Sequence, residues 1–260
     1  MKIDYILPIV AGRLGNNLFM VANAYAKAKE YGKELYLYKS HFSNEYVNTI
    51  FKDFIFIDDY VDNKNYNLEI PSDNTHTLYT GYFQSENYFN KYSNEIKDLF
   101  YPPIEFINKI KLELPIIFVK EITAIHVRRG DYLSYPDIHP TLSKEYILEA
   151  IKHVPNNQIL IVSDDIEWCK KNLNIEGAIY SEGYKSYEDL WILSLCHHFV
   201  ISNSSFSWWG AYLSKNKNKI VIAPKTWYGP NGPKNWDEIY CKNWIIHETL
   251  YKNGYIYSKD

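Results

Sequence analysis

The sequence predicts an α/β protein made of two halves, each a parallel sheet wrapped by helices, with a cleft between them. Two observations carry this. Apolar runs of strand length alternate with amphipathic helical patterns along nearly the whole chain. Several of those runs, ITAIHVR (122–128), QILIVS (158–163) and KIVIAP (219–224), are almost continuously apolar, as expected of parallel strands covered on both faces.

IDYILPIV (3–10) reads as the first strand rather than as a signal peptide, since no small-residue cleavage site follows a long apolar run. AGRLGNN (11–17) reads as a glycine-containing turn, and a helix is expected from Leu18 to about Tyr31, where Gly32 ends it. ELYLY (34–38), FIFI (54–57) and TLYTGY (77–82) are short strands, with a polar loop, DDYVDNKNYNLEIPSDN (58–74), before the last of them. Helical patterns fill roughly 85–112, broken by Pro102 and Pro103.

The second half is more regular. After the strand 122–128 come a helix (144–154), a strand (158–163), a helix (165–173), a strand (177–180) and a helix (186–196) opened by a Ser186 to Asp189 capping pattern. A strand (198–202), a helix (205–214) and a strand (219–224) complete it. The flanking of 113–120 by Glu113, Pro115 and Lys120 suggests domains of 1–115 and 116–260, with the segment 235–260 returning to the first.

Composition narrows the function. A net charge of −3 offers no bulk attraction to nucleic acid. The three cysteines have no metal-ligand spacing, as expected of reduced thiols in a cytoplasmic protein. No run approaches the ~20 apolar residues of a membrane span. Aromatic residues reach 17%, with 25 tyrosines, and such rings pack well on the C–H faces of sugars, although most aromatics serve as core bulk.

Four motifs carry chemistry, each with an ordinary structural alternative. HVRRGD contains His126, Arg128, Arg129 and Asp131 at a strand end, where parallel sheets bind ligands. Guanidinium forks there suit phosphate oxygens, unless one arginine simply pairs with Asp131. SNSS places Asn203, Ser204 and Ser205 at a helix start, an anion site or an N-cap. Asp164 in IVSDD could accept from a nucleobase or ribose, or cap the next helix. In AGRLGNN, Gly12 and Gly15 allow close backbone approach to a ligand, but neither a dinucleotide fingerprint nor a Walker loop is present. Trp208 and Trp209 are expected in the core, and His197 and His198 are expected to be structural. No isolated Asp-x-Asp stands out as a metal site.

Together and in this order, GRLGNNLF, HVRRGD, VSDD and SNSSFSWWGA resemble the α-1,2-fucosyltransferases of glycosyltransferase family 11, from residue 12 to about 229. The resemblance implies a GT-B fold of two Rossmann-like domains, the first on the acceptor side and the second holding GDP-fucose. It implies an inverting, metal-free reaction with no cofactor, GDP-fucose being a co-substrate. It places Arg128 on the β-phosphate with Arg129 in support, His126 and Asp164 near the guanine or ribose, and Ser204 and Ser205 at the phosphate turn. Gly12, Gly15, Asn16 and Asn203 join the donor set. Asn17 stands where glutamine is usual. The implied acceptor is a galactose-terminated glycan, lipid-linked in one version, used by an enzyme in the cytoplasm or on the inner membrane face. Asp131, Asp137 and His139 are the candidates for accepting the acceptor's proton, Asp131 foremost. A transferase for another nucleotide sugar, or a sugar-binding module without turnover, are the alternatives.

Overall fold

A computed structural model describes residues 5–57, 76–155 and 157–249, and the chain forms two compact units that divide between Phe100 and Tyr101. The loop expected at 58–74 and the tail from 250 lie outside the described residues.

In the first unit, β1 (Tyr5–Pro8), α1 (Leu14–Tyr31), β2 (Glu34–Tyr38), α2 (Asn44–Val47), β3 (Ile55–Ile57), β4 (His76–Tyr79) and α3 (Ser93–Phe100) follow in order. The strands pair in parallel as β3-β2-β1-β4. All four β1 residues are buried. α1 starts at Leu14, four positions before the expected Leu18, so most of GRLGNN is helix rather than turn. Asn17 accounts for this. Its backbone N–H makes a helical bond to Arg13 O (3.0 Å), while its side-chain amide donates to Ala11 O (3.2 Å) and ties off the entry. Only Gly12 has the left-handed backbone a turn requires (φ 85°). At the other end Gly32 (φ 62°) stops the helix in a Schellman motif, with Lys33 N–H donating to Ala28 O at 2.8 Å.

The second unit contains α4 (Ile104–Glu113), α5 (Ile116–Val119), β5 (Ile122–Val127), α6 (Lys144–Ala150), β6 (Gln158–Ser163), α7 (Ile166–Leu173), β7 (Ile179–Tyr180), α8 (Ser186–Ser194), β8 (His198–Val200), α9 (Ser205–Leu213), β9 (Val221–Pro224) and β10 (Ile245–His247). Its sheet is also parallel, ordered β10-β9-β8-β5-β6-β7. Counted from β5, this is the 3-2-1-4-5-6 order of a Rossmann sheet. Ile125, Val127, Ile147, Ile161 and Val200 pack into one core that includes residues of the sheet and of α6.

Two expectations about boundaries are corrected. The unit begins ahead of residue 116 because α4 docks on α8: Phe106 lies 5.1 Å from Trp191, and Lys109 Nζ meets Glu188 Oε1 at 2.6 Å. The segment 235–249 stays with the second sheet, because β10 pairs with β9. The α8 cap is also shifted. Glu188 accepts from Lys185 N–H (2.9 Å), and Asp189 instead accepts from Ser181 Oγ (2.6 Å). His197 and His198 are structural as expected: each Nδ1 accepts a backbone N–H, from Ile122 (3.2 Å) and Ile220 (3.1 Å). Trp208 and Trp209 are fully buried, and all three cysteines are free.

α8 and α9 approach closely at Gly210, where an added Cβ would sit 2.7 Å from Leu193 Cβ. Gly210→Ala is therefore expected to destabilise the protein by about 1–2 kcal/mol. Overpacking costs about 1–3 kcal/mol and outweighs the helix-propensity gain of about 1 kcal/mol. Urea denaturation measures it, and an unchanged or raised midpoint would contradict the close packing.

Candidate active site

The order of the second sheet reverses between β5 and β8, and open α/β sheets bind ligands at the carboxyl ends of strands beside such a reversal. Three strand ends deliver side chains there: β5 leads into Arg128, β6 into Asp164, and β8 into the serine run that opens α9.

Asp164 joins the first two. Its Oδ1 accepts from Arg129 N–H (2.8 Å), and its Oδ2 pairs with Arg128 Nη1 (2.9 Å). Gly130 lies against the same carboxylate, so closely that any Cβ there would collide with Oδ2. The glycine of the motif thus leaves room for the carboxylate and is not demanded by backbone angle. Arg128 Nη2 donates to Asp131, and its guanidinium sits 5.2 Å from the Tyr132 ring. The Arg128 Nε is buried without a partner.

Arg129 behaves differently from its neighbour. Its side chain is 6% exposed, pairs with Asp165 through Nε (3.1 Å) and lies over the Trp168 ring at 4.0 Å. Asp165 also caps α7 by accepting from Trp168 N–H (3.1 Å). Arg129 was expected to support Arg128 at the donor; here its side chain is laid down beneath the loop, on Asp165 and Trp168. Asn203, also expected in the donor set, has a structural engagement here. Its amide nitrogen donates to Pro140 O and Trp227 O, both at 3.0 Å, so it staples two loops to the end of β8. Ser204 is the α9 N-cap, accepting from Phe206 N–H (3.3 Å), and Ser205 is the first helical residue.

His126 is buried, with Nδ1 2.7 Å from Ser202 Oγ and its ring centre 5.3 Å from that of Phe206. Burial first, and the Arg128 charge second, push its pKa from 6.5 down to about 3. It is a neutral imidazole at pH 7. His139 stacks on Tyr132 (4.8 Å, 19°) and its pKa is also lowered, chiefly by burial. Its Nδ1 is buried without a partner. Asp131 is engaged on Arg128, which was the competing role for it, while Asp137 is exposed.

Gly12, Gly15 and Asn16 belong to the first unit. Asn16 Oδ1 accepts from Gln84 Nε2 (2.8 Å), linking the start of α1 to the segment after β4, where that sheet also reverses. Gly15 is buried within α1. Residues that sequence reasoning did not select include Tyr132, which underlies both Arg128 and His139 and donates to Asn203 O (3.1 Å), and Gln84. Tyr132 directly follows the HVRRGD motif, which was the available signal for it. Among the described residues, no group of three or more His, Cys, Asp or Glu side chains could hold a metal ion, and no helix is long and apolar enough to cross a membrane.

The fold is thus of the GT-B class. The Bradyrhizobium α-1,6-fucosyltransferase NodZ, co-crystallised with GDP, matches with a TM-score of 0.55 at 14% identity, over 85% of this chain and 95% of that one. A family 9 glycosyl transferase from Veillonella parvula matches with a TM-score of 0.54 at 10% identity, over 97% and 89%. The particular family follows from the sequence: the model of glycosyl transferase family 11 matches residues 37–248, and the chain belongs to that family. An α-1,2-colitosyltransferase of Escherichia coli is 34% identical over 58% of this chain and 56% of its own length. A galactoside 2-α-L-fucosyltransferase of Caenorhabditis elegans is 31% identical over 54% and 43%. The chain spans about half the length of the curated relatives it matches.

The buried His126 has a consequence for stability. Its folded pKa lies below the unfolded value, so the unfolded chain takes up the proton first. The stabilisation is complete above pH 6.5 and is lost as the pH falls toward 3. Between pH 7 and pH 5 this amounts to about 2 kcal/mol for His126 alone. Urea denaturation at the two pH values, on wild type and His126→Gln, should show a smaller pH effect in the variant. Equal effects would mean that His126 is not held neutral.

Proposed function

We propose that the chain is an inverting, metal-independent α-1,2-fucosyltransferase that moves L-fucose from GDP-β-L-fucose to the 2-hydroxyl of a galactose-terminated glycan. The observation that carries the reading is the setting of Arg128. Two carboxylates hold its fork at the switch point, on the end of the strand adjacent to the one that leads into α9. Breaking the fucosyl–phosphate bond leaves charge on the GDP diphosphate. Each terminal nitrogen of Arg128 has a second N–H to offer it, and the positive end of the α9 dipole adds to this. Asp131 orients the arginine. With Asp131 so engaged, His139, whose pKa burial lowers, is the candidate for accepting the proton of the incoming hydroxyl. Tyr228, beside it, offers an aromatic face for a sugar ring. The enzyme would work in the cytoplasm or at the inner membrane face. A colitosyl donor is the second reading, favoured by the similarity to the colitosyltransferase.

Incubation with GDP-fucose should release GDP only when a β-galactoside acceptor is added, and the rate should be unchanged by EDTA. Turnover with GDP-colitose and not GDP-fucose would support the second reading. GDP binding without turnover on any acceptor would leave a binding module. Loss of activity in EDTA, restored by Mn²⁺ or Mg²⁺, would overturn metal independence.

Arg128→Lys should lose activity almost as completely as Arg128→Ala, on the order of 10²–10³-fold in kcat. A single ammonium cannot satisfy two carboxylates and still present two parallel N–H groups. Initial rates at saturating donor measure this, and a lysine variant near wild type would make Arg128 a structural residue.

A further inference from the structure

The hydroxyl chemistry around His126 is more constrained than its neighbours suggest. Ser202, Ser204 and Ser207 cluster at the end of β8, and Ser202 and Ser207 are almost completely enclosed. The protons in this cluster can be placed by counting. Ser207 Oγ lies 3.2 Å from Ser202 O and 3.1 Å from Ser204 O, two acceptors that cannot donate back. Its single proton is therefore committed to those carbonyls.

Ser202 then has two places for its own proton. His126 Nδ1 is at 2.7 Å, within the usual range for a strong bond, whereas Ser207 Oγ is at 3.5 Å, beyond it. If His126 carried its proton on Nδ1, the 2.7 Å bond would still form, but with Ser202 as acceptor. The Ser202 proton would then have only the 3.5 Å contact, in a buried setting where a poorly made bond costs about 1–3 kcal/mol. The other arrangement makes every bond well: Ser207 to the carbonyls, Ser202 to Nδ1. It leaves the imidazole proton on Nε2, for which no partner is found among the described residues.

We infer that Ser202 is a positioning residue that fixes His126 as its Nε2–H tautomer, so that the β5 strand end offers a ligand a neutral hydrogen-bond donor two residues before Arg128. The inference rests, for its functional part, on the proposed reading of this strand end as the donor site. A cationic histidine would add charge beside Arg128, and an Nδ1–H histidine would turn a lone pair toward the same place. Ser202 excludes both at once, by occupying Nδ1 as a donor. This gives the serine run a division of labour. Ser204 caps the helix, Ser207 closes the backbone turn, and Ser202 sets the histidine.

Long-range ¹H–¹⁵N spectra of histidine-labelled protein read the tautomer directly, with His126→Gln identifying the resonances. In the wild type, Nδ1 of His126 should appear as the unprotonated nitrogen and Nε2 as the protonated one. Ser202→Ala should move the ring toward a mixture, and Ser202→Thr, which keeps the hydroxyl, should restore it. The KM for GDP-fucose should rise in the alanine variant in proportion to the Nε2–H fraction lost, about twofold for an even mixture, and recover in the threonine variant. An Nδ1–H ring in the wild type would overturn the assignment without any variant needing to fold. So would an alanine variant whose ring is unchanged. A tautomer that shifts in Ser202→Ala while KM for donor stays constant would overturn the functional part, the donor-site reading, and leave the tautomer assignment standing.

Discussion

The Asp164 carboxylate is the constraint on which the rest of the site depends. One oxygen holds a backbone N–H of the loop after β5 and the other holds the Arg128 side chain, so the ends of β5 and β6 cannot move independently. A side chain at position 130 would displace this carboxylate and with it both of its bonds. The loop is thereby pressed onto its neighbour, Arg128 is turned into the switch point, and Asp131 falls within reach of it. From the other side, Asn203 pins the same loop at Pro140 and brings in Trp227. The loop between β5 and α6 is thus tied down near both of its ends.

Sequence reasoning reached the alternation of strands and helices because hydrophobic runs and their glycine and hydroxyl borders are local signals. It also reached the strand-end position of HVRRGD, since polarity changes abruptly after Val127. The sheet order was not legible. That β8 lies beside β5, and not β6 beside β8, depends on helix packing over distances that no local pattern records. The individual settings of these side chains were not legible for the same reason. Arg128 and Arg129 are adjacent and chemically identical, yet one faces two carboxylates at the loop surface and the other is laid on Trp168, a residue on the following helix. Asn203 looked like one more ligand-binding polar group. Its two N–H partners come from Pro140 and Trp227, both remote in sequence.

The smaller misplacements have similar causes. The Ser186 to Asp189 pattern is a sound capping signal, but Lys185 has the extended backbone that starts the helix, and Glu188 is already held by Lys109 from α4. The same ion pair and the buried Phe106–Trp191 contact join α4 to α8, and this explains why the proline-marked boundary near residue 115 was not the structural one. In the first unit, Asn16 was selected from its glycine-rich setting. Its partner Gln84, which lies beyond β4, carries no motif of its own. A polar pair closing a sheet's switch point becomes visible only once the strand order is known.

Charge at the second switch point requires a different explanation from the one two adjacent arginines suggest. Two guanidinium groups are present, but three carboxylates, of Asp131, Asp164 and Asp165, are paired with them. His126 contributes nothing, since burial keeps it neutral. The fixed side-chain charge of this cluster is therefore slightly negative, and simple neutralisation cannot account for the diphosphate binding proposed for it. What the cluster offers instead is geometry. Paying out the two carboxylates on one edge each leaves Arg128 with its orientation set and with a second N–H on each terminal nitrogen. Preorganised donors act in this way because the cost of orienting them is met during folding and not at the moment of reaction. The α9 N-terminus supplies backbone dipoles in the same manner, without a counter-charge nearby on its own first turn, where no acidic residue stands. A site of this kind discriminates by the placement of oxygens more than by their total charge. That explains why carboxylates, which weaken the field, are nevertheless built into it: each one removes a degree of freedom from the arginine that a ligand would otherwise have to freeze.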